Sequence, residues 1–366
     1  MSSVAKFIGL DVHKDSIWMA VCDGTPGSEV RDLGQIAHDV PRLLRRLERL
    51  GPVESLHVAY EAGPTGYGLC RALRARGIAC QVVAPSRTPI RSGDRVKTDR
   101  RDAEKLARFL RSGELVAVDL PDVQREALRD LVRARSDALR AQRCARQQLS
   151  SFLLRHGRHW KEKSAWTKRH MIWIRSQRFD IEEQRQVMED YFNEVVHAEQ
   201  RLEQLTDKVA EAMEKQANAP LARALGAMRG VSTIVTATLV AELGDLRRFK
   251  SASRLMSYVG LTPSEYSSGA SVHRGAITKA GNPHVRRVLI EAAWSAQRRP
   301  AMGATVKKRN EGVPLPIQDI AWKAQNRLHK RYWRLRNRGK SMQTAIVAVA
   351  RELVGFVWAI GQQVAT

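Results

Sequence analysis

Apolar and polar positions change period several times over the first 120 residues. Phe7 to Leu10 runs into Asp11 as a short apolar strand. Ser16 to Cys22 and Glu29 to Ile36 follow as strand-like segments separated by turn residues, for which hairpins are the simplest connection. His38 to Leu50 has helical spacing, Leu56 to Tyr60 reads as a buried strand ending at Glu61, Tyr67 to Arg76 as a helix, and Ala79 to Val83 as another strand. From Asp99 onward Ala103, Leu106, Ala107 and Leu110 recur at the spacing of a helix face. The order βββαβαβα describes a mixed sheet with helices against it, and acids at strand ends fall at the edge where such sheets place sites.

The remaining chain is predominantly helical. Val123 to about His156 sets Arg125, Arg129, Arg133, Arg135, Arg140, Arg143 and Arg146 around apolar Leu128, Leu131, Leu139 and Leu149, a helix that packs on one side and presents charge on the other. Met188, Tyr191, Val195, Ala198, Leu202, Leu205, Val209 and Ala212 then alternate by three and four, the seam of a coiled coil whose partner lies in the same chain or in another. Asn218 to Pro220 breaks that helix, so three domains are expected, at residues 1–120, 121–217 and 218–366. Past the break, Gly230 separates a short helix from one running from about Ser232 to Gly244, a helix-hairpin-helix whose amides can meet a phosphate without reading sequence. The segment from Gly260 to Pro283 is a Gly-, Ser- and Thr-rich loop with isolated Arg274 and Lys279, or an exposed linker. Apolar helices follow from His284 to Ala296 and from Ala345 to Ile360, with a basic helical surface from Lys323 to Lys340 between them.

Charge narrows the function. Lysine and arginine number 62 against 38 acids, a net charge of +24, and an excess of this size implies a polyanionic partner. Apolar residues make up 43% of the chain, enough for folded cores. No signal-peptide arrangement opens the sequence and no uninterrupted apolar run approaches the roughly 20 residues of a membrane span, so a cytoplasmic, nucleoid-associated protein without a membrane partner is expected. Cys22, Cys70, Cys80 and Cys144 lack the spacing of a zinc site or a disulfide framework. Between Gly157 and Arg178, Trp160, Trp166 and Trp173 interleave with Lys161, Lys163, Lys168, Arg169 and Arg175. Such aromatics stack on unpaired bases, or else form the core of a hairpin.

Four acids stand out in this cationic chain. Asp99 and Asp102 in KTDRRDAEKLARFL are three residues apart near a helix start, which brings their Cβ atoms to roughly 5–6 Å. Paired catalytic metals lie about 3.5–4 Å apart, so one helical turn can serve such a cluster. An acidic first turn complementing the helix dipole is the plainer explanation for that pair alone. Asp11 and Glu61, each at a strand end, complete a carboxylate set suited to hard divalent cations. Sugar kinases and actin-like ATPases also place an Asp after a first strand, but here Val12, His13 and Lys14 follow, without the Gly of a phosphate loop. His13, beside Lys14 and Asp15, is expected to be a solvated loop residue.

The combination IGLDVHK, YEAGPTGYG, KTDRRDAEKLARFL and GLTPSEYSSGASVHRGAITKAGNPHVRRVL closely resembles the DEDD transposases of the IS110 insertion-sequence family, including its IS1111 branch. The resemblance covers nearly the whole chain. It implies an α/β RuvC-like N-terminal domain of the ribonuclease-H fold, then a helical coiled coil, then a mostly α C-terminal transposase domain. It also implies Mg²⁺ at Asp11, Glu61, Asp99 and Asp102, and a nucleophile at Ser268, the serine before Gly269, with Ser267 as the fallback. Donor and target DNA, an element-encoded guide (bridge) RNA and a homo-oligomeric dimer of dimers are the partners implied. Two other classes compete: a RuvC-like nuclease would use the same acids with water in place of Ser268, and a non-catalytic nucleic-acid binder would explain the charge but not the acids.

Overall fold

The structure is a computed structural model that describes residues 5–25, 27–85, 88–89, 98–215, 219–268 and 271–364, and the chain divides into two compact units, 1–120 and 121–366. In the first unit, β1 (Lys6–Val12), β2 (Ser16–Asp23), β3 (Arg31–Ala37), β4 (Leu56–Glu61) and β5 (Ala79–Val83) form one sheet in the order β3-β2-β1-β4-β5. The first three strands pair antiparallel, whereas β4 runs parallel to both β1 and β5. Helices α1 (Val40–Glu48), α2 (Gly68–Ala75) and α3 (Asp99–Arg111) complete the unit in the predicted order.

Side-chain alternation along the strands assigns the two faces. Ile8, Leu10, Val58 and Tyr60 share a core with Leu43 and Leu47 of α1 and with Leu69 and Leu73 of α2. The opposite parity faces α3, where Ala20 and Cys22 pack with Ala103 and Ala107. Helix and strand approach closely there because β1 carries Gly9: a Cβ at that position would stand 2.1 Å from the Ala103 carbonyl oxygen and 2.5 Å from the Ala107 nitrogen. Asp11 and Glu61 have the parity of Gly9 and Ala59, which pair across β1 and β4, so both acids lie on the α3 face at one end of the sheet.

The second unit contains α4 (Val123–Arg155), α5 (Lys168–Ser176), α6 (Glu182–Lys215), α7 (Ala219–Gly226), α8 (Thr233–Leu243), α9 (Ala252–Val259), β6 (Pro263–Ser268), β7 (Ser271–Ile277), α10 (Pro283–Ala293), α11 (Ala304–Asn310), α12 (Leu315–Asn337) and α13 (Met342–Gln363). The seam of α6 packs onto α4 of the same chain: Val195 shares a core with Leu149, and Val209 with Leu128 and Val132. That second core continues into Ala237, Val240 and Ala241 of α8, so the boundary expected at 217–218 does not separate two cores. Pro220 lies within α7, and Asn218 falls outside the described residues. Helix α8 is apolar on every side and is correspondingly buried from Val235 to Leu243, with the Thr236 and Thr238 hydroxyls donating to carbonyls of the preceding turn. Helix α13 is long and apolar enough to cross a membrane, but its buried residues, among them Ile346, Val349, Leu353 and Val357, belong to the core it shares with α9, α10 and α12.

Candidate active site

Two residues along β1 advance roughly 6.6 Å and four along a helix about 6 Å, so with Gly9 against Ala103 an antiparallel α3 brings its first residue, Asp99, to Asp11. The structure has this geometry. Thr98 caps α3, its hydroxyl accepting from the Arg101 N–H at 3.3 Å, and the helix begins at Asp99. His13 lies between the two acids. Its Nε2 is 3.2 Å from Asp11 Oδ2 and 3.5 Å from Asp99 Oδ1. Asp11, His13 and Asp99 each offer a ligand atom within 4.8 Å of the others.

His13 is exposed in the loop after β1, as expected of a solvated residue, and from there it also reaches both acids. Its side chain is half exposed, yet the loop is fixed on both sides: the His13 N–H donates to Ser16 O at 2.8 Å, and its carbonyl accepts from His38 Nδ1 at 2.6 Å. The available signal was period-2 alternation, since His13 follows Asp11 by two residues and inherits its face.

Burial pushes the Asp11 carboxyl above the ordinary carboxylate value; His13 opposes this, while the charges of Asp99 and Asp102 add to it. Asp102, one turn into α3, thus acts on the same carboxylate. Glu61 sits on the neighbouring strand at the same end of the sheet, where its Oε1 accepts from the Thr88 hydroxyl at 2.7 Å. Clustered carboxylate oxygens with one imidazole nitrogen, without an ion-paired lysine or arginine on Asp11 or Asp99 among the described residues, fit a divalent metal ion.

In the second unit the sequence from Gly260 to Pro283 forms a β-hairpin rather than a loop. Gly260 ends α9 at φ +71°, and Gly281 holds φ +97° where a Cβ would stand 1.9 Å from Tyr258 O, so both glycines permit close backbone passage at the hairpin root. Along β6 and β7 the pairs Glu265–Arg274, Tyr266–His273, Ser267–Val272 and Ser268–Ser271 face each other. Ser267 Oγ donates to Glu265 Oε1 at 3.1 Å, and Arg274 Nε donates to the other oxygen of Glu265 at 3.3 Å. Ser268 has the opposite parity. It is exposed at the strand end, and its hydroxyl has no partner among the described residues. Gly269 and Ala270, which follow it, lie outside them. Lys279 is exposed at the root with φ +53°, and its N–H donates to Gly260 O at 3.1 Å.

The hairpin leads into α10 through Asn282, whose side-chain oxygen accepts from the His284 and Val285 amides. Its Nδ2 donates at 2.6 Å to Glu242 Oε2, a carboxylate only 1% exposed that also receives Arg133 Nε at 2.8 Å and faces Arg129 Nε at 3.4 Å. Burial pushes the Glu242 carboxyl up, but Arg133, Arg129 and Asn282 outweigh it and leave it below the ordinary value. Sequence spacing did not reveal this clamp, because its members come from α4, α8 and the turn before α10.

Trp160, Trp166 and Trp173 gather around buried His170, with ring centroids 4.8, 5.2 and 5.6 Å from the imidazole. All three are half-buried, and the Arg146 guanidinium lies 4.9 Å from the Trp166 ring.

Comparison with known proteins points to one family. Residues 8–157 match the transposase family DEDD_Tnp_IS110, and residues 222–307 match the family described as Transposase IS116/IS110/IS902. The chain is 42% identical over 358 residues to the protein y4qE of Sinorhizobium fredii (strain NBRC 101917 / NGR234), covering 98% of this chain and 88% of that one. It is 31% identical over 344 residues to the transposase for insertion sequence element IS1533 of Leptospira borgpetersenii, covering 92% and 98% respectively. Similarity to the transposase for insertion sequence element IS1111A of Coxiella burnetii (strain RSA 493 / Nine Mile phase I) is 21% over 365 residues, covering 97% of this chain and 89% of that one.

Proposed function

The chain belongs to the IS110/IS1111 family of insertion-sequence transposases, and on that footing we propose that it cuts and rejoins DNA strands under RNA guidance through a serine-linked intermediate. The observation that carries this reading is the cluster of Asp11, His13 and Asp99, a charged ligand set at the open end of a sheet in a strongly cationic chain. The strand order β3-β2-β1-β4-β5 with α3 on one face supports a RuvC-like, ribonuclease-H-type fold for this unit.

Asp11, Glu61, Asp99 and Asp102 would hold Mg²⁺, which when bound polarises the scissile phosphate and neutralises charge on the leaving oxygen. His13 orients Asp11 and Asp99 through its contacts to both. Ser268 is the nucleophile. Its Oγ–P bond forms as the P–O3′ bond breaks, the proton lost by the hydroxyl is matched by the one the 3′ oxygen takes up, and the phosphodiester energy is retained in a 5′-phosphoserine. No nucleotide cofactor is needed. Ser267 is the weaker choice, because its hydroxyl is engaged by Glu265. The +24 charge suits a guide RNA together with donor and target DNA, and Arg274 and Lys279, elsewhere on the same hairpin, supply phosphate contacts. Since the acids and the serine belong to different units of the chain, a homo-oligomer that assembles the site would couple cutting to assembly.

The test is a denaturing gel. Protein incubated with Mg²⁺, guide RNA and target DNA should yield a covalent adduct through a 5′ phosphate, which Ser268→Ala abolishes while the non-covalent complex persists. Ser267→Ala should retain the adduct. Continued cleavage by Ser268→Ala, with no adduct from the unaltered chain, would instead favour a nuclease that uses water.

A further inference from the structure

The sequence places aromatics and cations together at residues 157–178, but the structure turns the three tryptophans of that segment inward around His170. An open aromatic surface under cations occurs instead where α5 and the turn after it meet α6. There a cavity of about 310 Å³ is lined by Phe179, Met188 and Phe192 and bordered by Arg175, Arg178 and Arg185. Phe179 and Met188 are buried at 6% and 8% exposure and form a fixed apolar floor, whereas Phe192 remains half-exposed. The Arg175 guanidinium lies 5.4 Å from the Phe192 ring, and Arg178 Nη1 donates to the Arg175 carbonyl at 3.3 Å, which draws two cations to the same rim. Arg185 is paired with Glu182, and Glu189 also reaches the cavity, so the rim is cationic without being saturated. The side chain of Asn193, at the edge, has no partner among the described residues.

We propose that this cavity is a binding site for one unpaired nucleotide of a single-stranded nucleic acid. The base lies against Phe192 over the Phe179–Met188 floor, the phosphate meets Arg175 and Arg178, and the Asn193 amide faces the base edge. A volume near 310 Å³ falls at the lower end of the range for small-ligand pockets, roughly 300–1,000 Å³, and suits a single nucleotide. Stacking on an aromatic ring tolerates any base, and neighbouring arginines neutralise the adjoining phosphates, so the site would grip an unpaired strand wherever one passes the end of the α4–α6 hairpin. Duplex nucleic acid offers no such base face. The site requires neither the acids nor Ser268, and its test reads binding alone, so its failure leaves the proposed chemistry untouched.

The full chain is titrated in EDTA with fluorescein-labelled 12-mers: single-stranded RNA, single-stranded DNA, an abasic DNA strand and a DNA duplex. Phe192→Leu, which keeps bulk and removes the ring, should weaken one or both base-bearing single strands by about tenfold and leave the abasic strand and duplex unchanged. The strand with the larger loss identifies whether RNA or DNA is the physiological source. Arg178→Gln should weaken the abasic strand as well and reduce the salt slope by about one. In the unaltered protein, photo-cross-linking with a 4-thiouridine-bearing RNA or the matching 4-thiothymidine DNA should join the base to a peptide within residues 179–193, a readout independent of how the variants fold. Equal loss for all four probes, no loss for any, or cross-links confined to other peptides would overturn the proposal.

Discussion

The two units each place carboxylates among basic residues, and they treat them in opposite ways. At Asp11 and Asp99 the close partner among the described residues is one imidazole shared at 3.2 and 3.5 Å, while further acids add repulsion at Asp11. At Glu242 two arginines and an amide converge on a single carboxylate that solvent hardly reaches. The first arrangement leaves negative charge for a ligand to compensate, and the second consumes it within the fold. Acid count alone would not distinguish them. What separates the candidate site from the structural clamp, among the described residues, is whether the protein supplies the counter-charge.

Substitution should expose this difference most strongly in activity. Asp11→Asn is expected to reduce Mg²⁺-dependent strand cleavage on the order of a thousand-fold, the equivalent of about 4 kcal/mol of lost charge stabilisation. Without divalent ions its melting temperature should be equal to or above that of the unaltered chain, because a partly buried charge facing other acids has been removed. Cleavage within a few-fold of normal would dissolve the contrast.

Stability should show the reverse ranking. Glu242→Gln strands Arg129 and Arg133 around a neutral group, and loss of one partner of a buried pair costs about 3–5 kcal/mol. For a unit of this size that lowers the melting temperature on the order of 10 °C. A drop of only a degree or two would mean that the clamp is replaceable.

The smallest effect is on pH dependence, and its sign differs between the sites. Glu242 titrates below its ordinary value of 4.5 in the folded chain, so its stabilisation is present above that value and is lost as pH falls through the folded value. Acid should therefore destabilise the unaltered protein more than Glu242→Gln. Asp11 titrates above its ordinary 3.8, so its stabilising contribution is present below that value and lost as pH rises through the folded one. Metal-free protein should accordingly gain from Asp11→Asn at neutral pH and not at pH 3. Parallel melting curves for both variants across this range would show that the environments do not differ as described.

Local periodicity carried much of the architecture. Apolar runs at Lys6–Val12 and Leu56–Glu61 put Asp11 and Glu61 at strand ends, and the apolar spacing after Asp99 defined α3 with both aspartates in its first turn. These features are set within a few residues, by strand pleat and helix pitch, and sequence therefore determines them. Tertiary structure decided what each side chain met. His13 has an unremarkable local context and meets Asp99 only because α3 delivers that residue to it. The α6 seam is equally compatible with a partner chain, and it was the shared core with α4 that chose the intramolecular pairing. Glu242, Arg129, Arg133 and Asn282 are brought together from three separate segments, so no short-range pattern could mark them. The Ser- and Gly-rich segment became a hairpin through backbone passages permitted by Gly260 and Gly281, and strand parity then separated the hydroxyls of Ser267 and Ser268. Direction is a property of the local chain, whereas counter-charge and burial come from residues remote in sequence, and only the folded chain brings those together.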